Sequence, residues 1–143
     1  MSSAPQLSLL LVEDDDVAAE AVIRGLRKHA KDCPVVPAED GVAALQILRG
    51  QHHTQRIAKP YLVLLDLNMP RMNGFEFLQE LRADQELCGT VVFVLTTSSA
   101  ERDRACAYRE HIAGYMVKSA VGPQFSGLAR FLTEYRAAVQ LPQ

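Results

Sequence analysis

Five side chains able to do chemistry stand directly behind short apolar runs. Glu13 and Asp14 follow LSLLLV, Asp66 follows YLVLL, Thr96 follows VVFVL and Lys118 follows GYMV. A lone carboxylate such as Asp66 is costly at the end of a fully apolar strand unless it has a partner. If the runs are neighbouring strands, the three acids meet. Two carboxylates about 4 Å apart repel by roughly 4 kcal/mol at an effective dielectric near 20, so the cluster must hold protons or bind a cation. Oxygen ligands without His or Cys favour a hard divalent ion. Mg²⁺ suits best, being commonly held by one or two carboxylates plus waters and phosphate oxygens. A metal beside a carboxylate, a lysine and a hydroxyl fits phosphoryl transfer, with Mg²⁺ and Lys118 neutralising charge and Thr96 donating a hydrogen bond. The nucleophile would be a carboxylate, giving an aspartyl phosphate. Asp66 is the candidate because it is solitary and central, whereas Glu13 and Asp14 come as a metal-holding pair.

The elements that must position these groups can be read from hydrophobic periodicity. Residues 7–12 predict a buried strand, then a helix over 17–29 with Asp15 or Asp16 as its cap. A short strand at 35–38 leads to a helix over 42–48, with Gly50 as the C-terminal stop. Residues 51–60 (QHHTQRIAKP) form a polar connection longer than the usual loop of about 2–6 residues. A third strand, 62–65, precedes a turn punctuated by Pro70, Asn73 and Gly74, and a helix over 75–83. A fourth strand spans 90–95 and a charged helix 100–111. A fifth strand spans 114–117, and a last helix starts at Pro123 with Phe125, Leu128, Phe131, Leu132, Tyr135 and Val139 as its apolar stripe. Strands alternating with amphipathic helices predict an α/β fold, a parallel sheet covered on both faces. Right-handed crossovers favour the flavodoxin-like (βα)5 doubly wound sheet, strand order 2-1-3-4-5, whose strand ends share one edge. We expect one domain over 1–143, with a core over about 7–139 and a short C-terminal extension, 140–143.

Composition narrows the class. With 48% hydrophobic and 22% charged residues and a formal charge of −2, nothing draws the chain to nucleic acid or anionic lipid. No apolar run approaches the roughly 18 residues of a membrane span, and MSSAPQ lacks the features of a signal peptide. Cys33, Cys88 and Cys106 are widely spaced, as for free thiols in a reducing compartment. The expectation is a cytoplasmic protein.

These strand-end residues, with LLDLNMPRMNG around Asp66 and Tyr115 three residues before Lys118 in GYMVK, resemble the receiver domain of two-component response regulators. The resemblance implies phosphorylation of Asp66 by a sensor histidine kinase's phosphohistidine. It implies Mg²⁺ on Glu13, Asp14, Asp66 and the backbone carbonyl of Asn68. It also implies that Thr96 and Tyr115 move together on phosphorylation and repack the surface of the fourth helix, fifth strand and last helix, where partners bind. The long loop at 51–60 and the ending around Tyr135 to Pro142 resemble the single-domain regulators paired with bacterial phytochrome kinases. That implies a homodimer involving the C-terminal face, with Leu141 and Pro142 contributing. The sequence departs from the family in one place. Ser119 follows Lys118 where receivers usually carry a proline, often after a cis bond; a cis bond before serine costs about 2.5–4 kcal/mol, so a trans peptide is expected.

Plainer roles are assigned to other residues. Asp15 and Asp16 read as a cap and a loop acid; Thr97, Ser98 and Ser99 as loop and cap residues, with Ser98 and Asn68 placed to influence water access to a phosphoryl group. His52 and His53 read as solvated rather than metal-binding. Arg102, Arg104 and Arg109 are balanced by Glu101, Asp103 and Glu110, a solvated face. The short stretch after Lys118 leaves output to partner binding or to onward relay as a phosphate shuttle. An aspartate-nucleophile phosphohydrolase of the haloacid dehalogenase type would need a second acid two residues after Asp66, where Asn68 stands. A flavin or nucleotide binder would need a glycine-rich loop where the first strand instead ends in four acids.

Overall fold

The computed structural model describes residues 6–30, 33–69 and 72–142; Pro70, expected in the turn after Asp66, lies outside them. Five parallel strands, β1 (Ser8–Val12), β2 (Val35–Ala38), β3 (Tyr61–Leu65), β4 (Val92–Thr96) and β5 (Gly114–Val117), form one sheet in the order β2-β1-β3-β4-β5. The flavodoxin-like order is the one expected. Between the strands run α1 (Asp16–His29), α2 (Gly41–Leu48), α3 (Gly74–Ala83) and α4 (Glu101–Arg109), and α5 (Ser126–Ala138) closes the chain.

The central strands are apolar on both faces because both faces are covered. Leu10 and Val12 of β1, Val63 and Leu65 of β3, and Val92 and Val94 of β4 pack with Ala44, Ile47, Phe77 and Leu81 on the side of α2, α3 and α4. The alternate residues Leu9, Leu11, Leu62, Leu64, Phe93 and Leu95 pack with Val22, Leu26, Leu128 and Leu132 under α1 and α5. Phe93 also meets Phe131 and Tyr135 edge-on, both at 5.3 Å between ring centres. Among the described residues no helix is long and apolar enough to cross a membrane.

Several boundaries differ from expectation for local reasons. Asp15, not Asp16, caps α1, its carboxylate accepting from the N–H groups of Val17 and Ala18. The last helix begins at Ser126 rather than Pro123. Gln124 and Phe125 take left-handed conformations (φ 54° and 59°) inside a separate 3-10 turn, Pro123–Phe125, which interrupts helical geometry. That turn lies against α1 at Gly25, where a Cβ would run into the carbonyl oxygen of Gln124, and Lys28 Nζ donates to Gln124 Oε1 at 2.9 Å. Val139 is an extended cap rather than part of the helical stripe, and it is exposed along with Phe131. Helix α4 is shorter than expected, as Ala100 is its cap and His111 turns left-handed at φ 58°. Residues 51–60 carry no regular structure. There His52 is partly buried rather than solvated, its Nδ1 accepting from the N–H groups of Thr54 and Gln55. At the other end of the chain, Leu141 packs against the α1–α5 core.

Candidate functional site

Register places the acids. Val12 of β1 pairs with Leu65 of β3, so Glu13 and Asp66 leave the sheet side by side; Asp66 N–H donates to the Val12 carbonyl at 3.0 Å. Each of Glu13, Asp14 and Asp66 offers a carboxylate oxygen, and these oxygens lie within 4.8 Å of one another. Glu13 and Asp66 are buried, at 6% and 9% exposure, while Asp14 faces solvent at the rim. One end of the cluster is thus dry and the other open to an incoming group.

Burial pushes the Glu13 carboxyl up to about 7, against the pull of a hydrogen bond from Lys118, with Asp66 adding to the rise. Lys118 reaches it from the end of β5, its Nζ 2.6 Å from Glu13 Oε1. Across the other side, β4 ends in Thr96, wholly buried, whose Oγ1 accepts from Ser98 N–H at 3.4 Å. Thr96 pairs with Val117, one residue before Lys118, so the hydroxyl and the amine leave adjacent strands at the same level. Tyr115 packs toward the α4 side of the sheet, and its hydroxyl donates to the Ser98 carbonyl at 2.9 Å. Burial lifts its phenol above the usual range, and the bond to Ser98 opposes that rise.

The loop behind Asp66 is built for close approach. Asn68 N–H faces Asp66 Oδ1 at 3.5 Å, a weak contact, and the Asn68 side chain is exposed. Gly74 N–H donates to the Leu67 carbonyl at 2.9 Å. A Cβ on Gly74 would lie 2.6 Å from Leu67 Cα and 2.8 Å from the Asp66 carbonyl oxygen, so only glycine lets α3 start this near Asp66. Asn73 and Glu76 complete a capping box that fixes the start of α3.

The expected residues therefore come to one edge of the sheet. The Lys118–Ser119 peptide is trans, as expected for serine; the cis bond among the described residues is Lys59–Pro60. Two residues carry more than their sequence roles. Ser98, read as a loop or cap residue, is bonded to Thr96, Tyr115 and Asp103 at once, and Asp103, read as part of a solvated face, accepts from Ser98 Oγ at 2.7 Å. A serine two residues behind the Thr96 strand end was the available signal for the first. Nothing in the sequence marked the second.

The donor set suits a hard divalent cation. Its ligands are all oxygens, two of them half or fully withdrawn from water, and the proton or lysine that now offsets Glu13 could be replaced by a metal charge. Such an ion would neutralise negative charge on an anionic group brought to the three acids.

Comparison with known proteins agrees with this geometry. The response regulator receiver domain model matches residues 9–125. The response regulator Rcp1 of Synechocystis sp. is 36% identical over 117 residues, covering 82% of this chain and 80% of Rcp1. The crystal structure of the phosphorylated cyanobacterial phytochrome response regulator RcpA superposes with a TM-score of 0.81 at 31% identity, covering 95% of this chain and 98% of that one. The Mn²⁺-bound form of Rcp1 superposes with a TM-score of 0.80 at 31% identity, over 97% of this chain and 100% of that one. The chain belongs to the response regulator receiver domain family.

Proposed function

We propose that this receiver accepts a phosphoryl group on Asp66 from the phosphohistidine of a sensor histidine kinase, in a reaction that requires Mg²⁺. The observation that carries this reading is the meeting of Glu13, Asp14 and Asp66 within 4.8 Å, with Lys118 2.6 Å from Glu13. An Asp66 oxygen would attack phosphorus; the P–O bond forms as the P–N bond breaks, and the electron pair leaves on the imidazole nitrogen. Glu13, Asp14, Asp66 and the Asn68 carbonyl would hold Mg²⁺, which supplies charge neutralisation at the phosphoryl oxygens. Lys118 would move its ammonium from Glu13 toward the new phosphate, and the Thr96 hydroxyl would leave Ser98 to donate to it. Supporting the metal assignment, a relative at 31% identity is described in an Mn²⁺-bound form.

The output would be a change in the face formed by α4, β5 and α5, where Tyr108 and Phe131 are exposed at 47% and 38%. That face would receive the downstream partner or a second copy of the chain. Similarity to a phytochrome response regulator supports a phytochrome-type kinase as the donor.

The test is labelling by acetyl phosphate with Mg²⁺, then transfer from candidate histidine kinases. Labelling should depend on Mg²⁺ and vanish in Asp66→Asn. Persistent labelling of that variant would move the phosphoacceptor elsewhere.

A further inference from the structure

Ser98 joins three parts of the molecule. Its N–H donates to Thr96 Oγ1 at 3.4 Å, its carbonyl accepts from the Tyr115 hydroxyl at 2.9 Å, and its own hydroxyl donates to Asp103 Oδ2 at 2.7 Å while accepting from Ala100 N–H at 3.2 Å. The edge of the acid cluster, the β5 aromatic and the first turn of α4 are thereby tied to one residue.

Helix α4 is weakly anchored otherwise. Its cap, Ala100, has no side chain to satisfy the first N–H groups, and Ala107 is its only fully buried residue. Polar contacts must hold the first turn in place. Of those, the Ser98–Asp103 bond is short and charge-assisted, the stronger kind. Asp103 is half-buried, whereas Glu101, Arg102 and Arg104 around it are exposed.

We propose that Asp103 is a positioning residue: its carboxylate latches Ser98, and through Ser98 sets both the Thr96 side of the acid cluster and the Tyr115 hydroxyl. Phosphoryl uptake and the placement of α4 are then coupled through one side-chain bond. This rests on the reading of Asp66 as phosphoacceptor. Without the carboxylate, the Ser98 hydroxyl loses its acceptor and the loop gains freedom. The N–H offered to Thr96 and the carbonyl offered to Tyr115 then lose their fixed places, and ordering them again falls on the phosphoryl group.

The full chain is titrated with beryllofluoride, a phosphoryl mimic, in Mg²⁺, with the Tyr115 ring signals followed by NMR. Asp103→Ala and Ser98→Ala should each weaken uptake about tenfold and shift the Tyr115 signals. The double variant should be no weaker than Ser98→Ala alone, since that change already removes the bond to Asp103. Asp103→Asn keeps an acceptor oxygen but not its charge, so it should weaken uptake only about threefold and leave the Tyr115 signals in place. The latch is overturned if Asp103→Ala binds like the parent, if Asp103→Asn is as weak as Asp103→Ala, or if the two losses add. Should the parent take up no more beryllofluoride than Asp66→Asn, the phosphoacceptor reading fails. The latch is then judged on the Tyr115 signals, which must shift in Asp103→Ala and not in Asp103→Asn.

Discussion

Lys118 Nζ stands 2.6 Å from Glu13 Oε1, with 17% of the lysine side chain and 4% of the glutamate side chain exposed. A pair this far from water is held by geometry, and removing one partner strands the other. Burial and Asp66 push Glu13 up and Lys118 opposes them, leaving the carboxyl at about 7. Lys118→Ala should therefore leave Glu13 protonated at neutral pH and take the ammonium away from any phosphate on Asp66. We expect acetyl phosphate labelling to fall by about 10²-fold, with the Mg²⁺ concentration for half-maximal labelling raised as well. An unchanged Mg²⁺ requirement would separate Lys118 from Glu13.

The same carboxyl makes metal-free stability depend on pH. In the folded chain Glu13 titrates near 7, above its ordinary value of 4.5. The folded state thus keeps a proton that the unfolded state releases. Its contribution to stability is complete below the unfolded value and is lost as pH rises through about 7. Thermal melts without Mg²⁺ should show Glu13→Gln gaining on the parent between about pH 5 and about pH 8. Added Mg²⁺ should stabilise the parent more at the higher pH, where the ligand is already charged. Parallel curves for parent and variant would remove Glu13 as the source.

Gly74 is where the loop behind Asp66 and α3 meet. Alanine there would place a Cβ 2.6 Å from Leu67 Cα and 2.8 Å from the Asp66 carbonyl oxygen, both backbone atoms that cannot swing aside. Gly74→Ala should cost about 1–3 kcal/mol in urea unfolding and also slow labelling of Asp66, because the strain is relieved by moving that residue's own backbone. Loss of stability with labelling intact would mean that the start of α3 yields instead.

How much of this could be read from the chain depends on which forces acted. Strands such as LSLLLV and YLVLL are buried on both faces, so they stand out as apolar runs, and parallel pairing brings the residues behind them to one edge. That made Glu13, Asp14, Asp66, Thr96 and Lys118 legible as a group. The start of α5 was not. Pro123 has the right backbone for a first helical turn, but Gln124 and Phe125 turn left-handed where the segment meets Gly25, a tertiary fit that no local pattern encodes. Ser98 and Asp103 were hidden for a related reason. Both are ordinary polar residues at the start of a helix, and only the fold brings the Tyr115 hydroxyl to the same loop.

Arg82 illustrates the same hidden structure at the opposite end of the sheet. From the last turn of α3 its Nε donates to the Glu110 carbonyl at 2.7 Å, one Nη to those of Cys88 and Thr90 at 2.9 and 2.7 Å, and the other to that of His111 at 2.9 Å. The guanidinium fork thus ties α3 to the turn before β4 and to the turn between α4 and β5. Lysine, a point charge on a flexible stem, cannot span those four acceptors. Arg82→Ala should cost about 2–4 kcal/mol in urea unfolding, and Arg82→Lys should recover less than half of that. Because these bonds lie away from the strand ends that carry the acids, labelling of Asp66 in the folded fraction should be preserved. If Arg82→Lys were as stable as the parent, charge rather than the fork would be holding the two turns. If labelling fell with stability, the turn between α4 and β5 would have to act on Asp66 through the sheet.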